Sequence, residues 1–153
     1  MGDICEFLVG NIEETKSLAN KIASLTEATD LITLTGDLGA GKTTFSGFLI
    51  NSLIGENINV TSPTFNLVHN YDYKNGVIWH FDLYRLKHAH EIYELGFDEA
   101  LDNLAIIEWP EIIKYLLPKD RLEIIIKCDI DNNRKYIVQS FGKWIGKINE
   151  INQ

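Results

Sequence analysis

The chain is expected to fold as an α/β protein, with a mostly parallel central sheet, added antiparallel strands and flanking helices in three layers. Three observations carry that expectation. A glycine-rich loop, residues 36–44, lies between a β-rich run and a stretch of helical periodicity. The run at 104–107 is solidly apolar, as a strand buried on both faces must be. Two further strand-like runs meet at Asn75-Gly76, a hairpin signal that calls for antiparallel pairing. With 153 residues, the whole chain 1–153 is expected to form one domain, burying about two-thirds of its unfolded surface.

The elements follow in order. Residues 6–9 form a short apolar patch suited to an edge strand. Asn11 then has the character of a helix N-cap, with Glu14 three residues on as its capping-box partner. Ile12, Leu18, Ile22 and Leu25 give the helical stripe behind it. LITLT, residues 31–35, is a strand ending at the glycine loop. Beyond the loop, Phe45, Phe48, Leu49 and Leu53 recur at helical spacing, and Gly55 can end that helix. Residues 57–63 read as a loop. Strands are expected at 65–73 and 77–82, joined at Asn75-Gly76 by a type I′ turn. Residues 88–103 read as one or two short helices broken at Gly96. After the strand at 104–107, Pro110 fits the first turn of a helix reaching about residue 117. Two last strands, 122–127 and 136–141, connect through Asp131-Asn132-Asn133.

Charge and cysteine usage narrow the function. The net charge is −8, and only Arg85, Arg121 and Arg134 supply guanidinium groups. Polyanion binding by the chain alone is therefore not its expected task, because phosphate backbones require Lys/Arg patches. An acidic surface suits a basic protein partner, or simply solubility. Cys5 and Cys128 are isolated, which offers neither a disulfide framework nor a zinc site and suits the cytosol. No apolar run reaches the ~18 residues of a membrane span. The N-terminus lacks the basic and long apolar regions of a signal peptide, so a cytoplasmic location is expected. His88 and His90 are two apart, a spacing that suits neither one helix face nor a zinc pair.

GDLGAGKTT, from Gly36 to Thr44, carries the chemistry. Gly36, Gly41, Lys42 and Thr43 stand in the G-x-x-x-x-G-K-[ST] spacing of a P-loop. Glycines let the loop N–H groups converge on a phosphate, and the following helix aims its unpaired N–H groups at the same point. Lys42 supplies a mobile positive charge for the phosphates, and Thr43 a hydroxyl for Mg²⁺. Such a loop needs a second carboxylate at the end of a strand. Asp82 ends VIWHFD and Glu108 ends LAIIE. The first run alternates, with Ile78, His80 and Asp82 on one side, and it follows a hairpin, so it is expected to be antiparallel. The second is apolar on both faces, which favours Glu108 for the metal side and leaves Asp82 to orient water from a neighbouring strand. No N-K-x-D guanine reader follows the loop, which favours ATP over GTP. Three scattered arginines give little support to the lid of a small-molecule kinase. A nucleotide-gated binding module, with ATP affinity and no turnover, remains a separate reading.

Four motifs stand in one order: GDLGAGKTT, SPTF (62–65), HFDLYRL (80–86) and IEWPE (107–111). Together they resemble the TsaE family, also called YjeE, over most of the chain. The resemblance implies a P-loop NTPase-like fold and an ATPase of bacterial tRNA threonylcarbamoyladenosine synthesis. It implies that Gly36, Asp37, Leu38, Gly39, Ala40, Gly41, Lys42, Thr43 and Thr44 bind ATP, with Thr43 and Glu108 on Mg²⁺. SPTF is similar to a switch segment on the γ-phosphate side, with Thr64 as its polar contact. Asp82 matches a residue important for activity, and Trp109 one near the nucleotide and the partner surface. The implied partners are TsaD and TsaB, with tRNA engaged only indirectly. Lys42, Thr64, Asp82 and Glu108 are the catalytic candidates. Arg85 is the nearest arginine for a finger, and hydrolysis is expected to be slow until a partner completes the site.

Overall fold

The computed structural model describes residues 3–152. Among the described residues, seven strands form one sheet in the order β1-β7-β6-β2-β5-β4-β3. They are β1 (Asp3–Val9), β2 (Leu31–Gly36), β3 (Val68–Tyr73), β4 (Gly76–Asp82), β5 (Leu104–Glu108), β6 (Arg121–Cys128) and β7 (Arg134–Phe141). β6, β2, β5 and β4 run parallel, and their neighbours β7 and β3 are antiparallel to them. β1 closes the far edge, antiparallel to β7. The expected fold class is the one found.

Helix α1 (Ile12–Leu25) starts where Asn11 leaves the helix with φ −155 and its side chain accepts from the Glu14 N–H at 2.9 Å. Glu14 reaches back to the Gly10 N–H at 3.0 Å, one residue earlier than the usual capping box. The buried face of α1 is Thr15, Leu18, Ala19, Ile22 and Ala23, whereas Ile12 of the expected stripe is exposed. Helix α2 (Lys42–Ile54) buries Phe45, Leu49 and Ile50, and Gly55 ends it with φ 80. Both helices cover one face of the sheet. The other face carries 3₁₀ turns at Ala89–Leu95 and Pro110–Leu116 and the short helix α3 (Phe97–Leu101), broken from the first turn at Gly96.

This division gives two apolar cores, one on each side of the sheet. Leu18, Phe45, Ile106, Ile124 and Trp144 belong to the first. Trp79, Phe81, Ile92, Phe97 and Ile107 belong to the second. β5 is buried at all five positions, as its apolar sequence required.

Three expectations are corrected. Tyr73 pairs with Gly76, so Lys74 and Asn75 form the hairpin loop. Neither has positive φ, and the turn is not type I′. A lysine is a poor occupant of the first left-handed position, and the freedom of the glycine is used one residue later, at φ 134. The second correction concerns β4. It is antiparallel to β3 but parallel to β5, and residues 78–82 are all buried. β3 also starts later than expected, because Leu67 (φ 67) closes a turn from its N–H to the Pro63 carbonyl at 2.6 Å.

Candidate active site

The parallel strands β2, β4 and β5 end together at Gly36, Asp82 and Glu108. Carboxyl ends of parallel strands are where α/β sheets place their ligand sites. The register sets Leu34 opposite Glu108 and Glu108 opposite Asp82. Glu108 and Asp82 therefore project from the same face. That face also carries α2, whose first turn follows the glycine loop.

The loop leaves β2 at Gly36, where a Cβ would meet the Ile126 carbonyl at 2.8 Å and the Ala40 Cβ at 3.2 Å. It then turns through Ala40 N–H to Asp37 O at 3.0 Å and enters α2 at Gly41, with φ 106. Among the described residues no side chain caps α2, so its first N–H groups face the cavity mouth without a side-chain acceptor there. Lys42 is buried, and its Nζ donates to the carbonyls of Gly36 at 2.6 Å and Asp37 at 2.8 Å. The ammonium also lies 4.2 Å from the centre of the Trp109 ring. Burial holds the Lys42 pKa below its usual value, while Glu108, Glu111, Asp82 and Asp37 pull it back up.

Thr43 donates its hydroxyl to Glu108 Oε1 at 2.9 Å. The other oxygen, Oε2, lies 2.5 Å from His80 Nε2, and both residues are buried. Asp82 accepts from Ser62 Oγ, from Thr64 Oγ1 at 3.4 Å and from the Tyr84 N–H at 3.0 Å. Thr64 Oγ1 also reaches Ser62 Oγ at 3.1 Å. The SPTF segment is thus tied to the Asp82 carboxylate, and the Leu67 turn fixes its far end. Trp109 adopts φ 58, rare for a bulky residue, while its N–H bonds the Leu34 carbonyl at 3.2 Å. That conformation directs the indole across the mouth, 4.8 Å from the Tyr84 ring.

A cavity of about 480 Å³ joins these groups. Leu38, Gly39, Gly41, Lys42, Thr43 and Thr44 line one side, and Thr64, Asp82, Glu108 and Trp109 the other. Gly36, Asp37 and Ala40 lie behind, presenting carbonyls to Lys42 and Arg134. The donor set fits Mg²⁺: a hydroxyl and a carboxylate are hard oxygen ligands, and this ion is commonly held by one or two such groups plus substrate phosphates. Arg85 lines the cavity, but its guanidinium stacks 4.9 Å from the exposed Phe65 ring.

Sequence reasoning missed Arg134 and His80. Arg134 donates Nε–H to the Ala40 carbonyl at 2.8 Å and packs beside Gly41. Its signal was faint: it is the first strand residue after the 131–133 turn. His80 carried a clearer one, two residues before Asp82 on the same strand face.

A glycine loop opening a helix, a buried lysine within it, and a hydroxyl–carboxylate pair at the strand ends define a P-loop NTPase-like protein. The solved structure of Bacillus subtilis YdiB agrees, with TM-score 0.80, 31% identity and coverage of 99% of this chain and 95% of that one. The family model described as threonylcarbamoyl adenosine biosynthesis protein TsaE matches residues 9–136, and the chain belongs to that family. Among its relatives, a Rickettsia felis protein is 50% identical over 129 residues, covering 84% of this chain and 75% of the relative. A Bacillus subtilis relative is 38% identical over 136 residues, covering 86% and 83%. Both are described as tRNA threonylcarbamoyladenosine biosynthesis protein TsaE.

Proposed function

We propose that this chain, working as one domain in the cytoplasm, is the ATP-binding and ATP-hydrolysing component of tRNA N6-threonylcarbamoyladenosine synthesis. It docks on the TsaB–TsaD complex and supports its turnover. The observation that carries the ATPase reading is the contact between Thr43 and Glu108 at the start of α2, beside the buried Lys42. Family membership carries the pathway.

In this reading the Gly36–Thr44 loop and the N-terminus of α2 bind the phosphates. Lys42 leaves its loop carbonyls to pair with the anionic oxygens. Thr43 and Glu108 would hold Mg²⁺, which when bound neutralises charge on the phosphate oxygens. Asp82 and Thr64 orient the attacking water, and their mutual hydrogen bond couples water placement to the SPTF segment. Trp109 packs over the ammonium and narrows access from solvent. The protein contribution is thus positioning and electrostatics, the main demands of phosphoryl transfer.

Of the two arginines that line the cavity, Arg85 is engaged with Phe65 and Arg134 with the Ala40 carbonyl, so neither supplies a finger in this arrangement. Slow turnover by the chain alone follows, with acceleration when a partner completes the site. The net charge of −8 favours protein contact over direct tRNA contact.

Phosphate release from ATP tests the reading, first with the chain alone and then with TsaB, TsaD and tRNA. The expected result is a low rate that rises severalfold with partners and disappears in Lys42→Ala. ATP binding without release under any condition would overturn hydrolysis and favour a nucleotide-gated binding module. Normal ATP affinity in Lys42→Ala would overturn the site.

A further inference from the structure

His80 lies wholly inside the protein, a buried polar residue set in the sheet between His69 of β3 and Ile106 of β5. Its position follows from the sheet. His80 stands opposite Ile106 and Asp82 opposite Glu108, so both β4 residues project from the face that carries the Glu108 carboxylate. The two oxygens of Glu108 are held from different sides, Oε1 by the Thr43 hydroxyl and Oε2 by His80 Nε2. With His80 as the donor of this bond, Nε2 carries the proton and Glu108 Oε2 accepts it. Nδ1 then has no hydrogen-bond partner among the described residues. A buried, unpaired polar atom costs stability, and an apolar side chain would avoid that cost. The contact that Nε2 makes is with Glu108, so the one hydrogen bond of this buried imidazole among the described residues is made to the site.

We propose that His80 is the positioning residue for Glu108. Its Nε2–H anchors Oε2 and stops rotation of the carboxyl group, leaving Oε1 presented to Thr43 and the start of α2. His80 does not line the cavity, so it acts through Glu108 and not on the nucleotide. Hydrogen bonds of this kind orient metal ligands, and their loss typically weakens metal affinity roughly 10–100-fold. The inference rests on the reading of Thr43 and Glu108 as the Mg²⁺ side of a nucleotide site.

Calorimetric titration of the full chain with ADP, in Mg²⁺ and in EDTA, tests it. The unaltered chain is expected to bind ADP more tightly in Mg²⁺. His80→Leu is expected to reduce that gain roughly 10–100-fold while affinity in EDTA stays within about twofold. In a Glu108→Gln background, adding His80→Leu is expected to change the gain no further, as a thermodynamic cycle requires of one shared interaction. His80→Gln places an amide N–H near the position of Nε2 and is expected to keep much of the gain. His80→Asn places it nearer Nδ1, too short to reach Oε2, and is expected to lose it.

A folded His80→Leu protein with the full Mg²⁺ gain overturns the proposal, as do additive losses in the cycle. Should His80→Leu fail to fold, the Gln and Asn variants decide, and equal gains in the two overturn it. Absence of any ADP binding or Mg²⁺ gain in the unaltered chain overturns the underlying site reading and this inference together. That result is distinct from a variant that merely behaves like its parent.

Discussion

Burying the Lys42 ammonium carries a free-energy cost that a phosphate anion would offset. Burial lowers its pKa, and the Gly36 and Asp37 carbonyls accept its hydrogen bonds. A phosphate binds the charged form. Nucleotide affinity should therefore fall as pH rises through the depressed pKa, beginning below the ordinary lysine value of about 10.4. Affinities measured from neutral to alkaline pH check this, and Lys42→Arg, which does not titrate there, should flatten the profile. At this scale the sequence exposed the motif residues, because spacing alone fixes Gly36, Gly41, Lys42 and Thr43 around one turn. Arg134 and His80 were hidden for opposite reasons. Arg134 meets Ala40 across 94 positions, a contact made only when β7 folds beside the loop. His80 sat in a visible alternation, but its partner Glu108 lay on another strand.

The C-terminal segment was the least legible element. After β7 the chain makes 3₁₀ turns at Gly142–Trp144 and Ile148–Asn152. Trp144 is fully buried, and Ile148 and Ile151 join the same core. Lys143 and Lys147 pair with Asp30 at 2.8 Å and Glu27 at 2.9 Å, fastening the segment to the turn before β2. Such short turns have no periodicity, so only the large apolar residues hinted at their burial. Trp144→Ala should destabilise the protein by about 3–5 kcal/mol, through the lost transfer free energy and the cavity left behind. Denaturant unfolding with an unchanged slope would confirm that magnitude. The hairpin teaches a related lesson: Asn75-Gly76 located the turn, but the strand register decided which residues occupy its centre.

For the whole molecule, the parallel core and both flanking layers were legible because buried strands and helical stripes leave unlike patterns. Relative strand order was not, since it depends on pairings distant in sequence. The resulting sheet gathers the site at one end, with helices and turns holding it from both faces. A ligand there binds only the folded chain and so stabilises all of it. ADP with Mg²⁺ at about 100 times its dissociation constant should add ~2.7 kcal/mol and raise the melting temperature by roughly 5–10 °C. Thermal scans with and without nucleotide check this, and Lys42→Ala should remove the shift.

The stacking of Lys42 on Trp109 makes the site optically self-reporting. Trp144 and Trp79 lie in the two cores, whereas Trp109 faces the cavity with an ammonium 4.2 Å from its ring. A ligand that draws that charge away changes the electric field on one indole and leaves the other two emitters nearly undisturbed. Intrinsic fluorescence should then shift on nucleotide addition in the unaltered chain and stay constant in Trp109→Phe, so the chain needs no attached dye to follow its own occupancy.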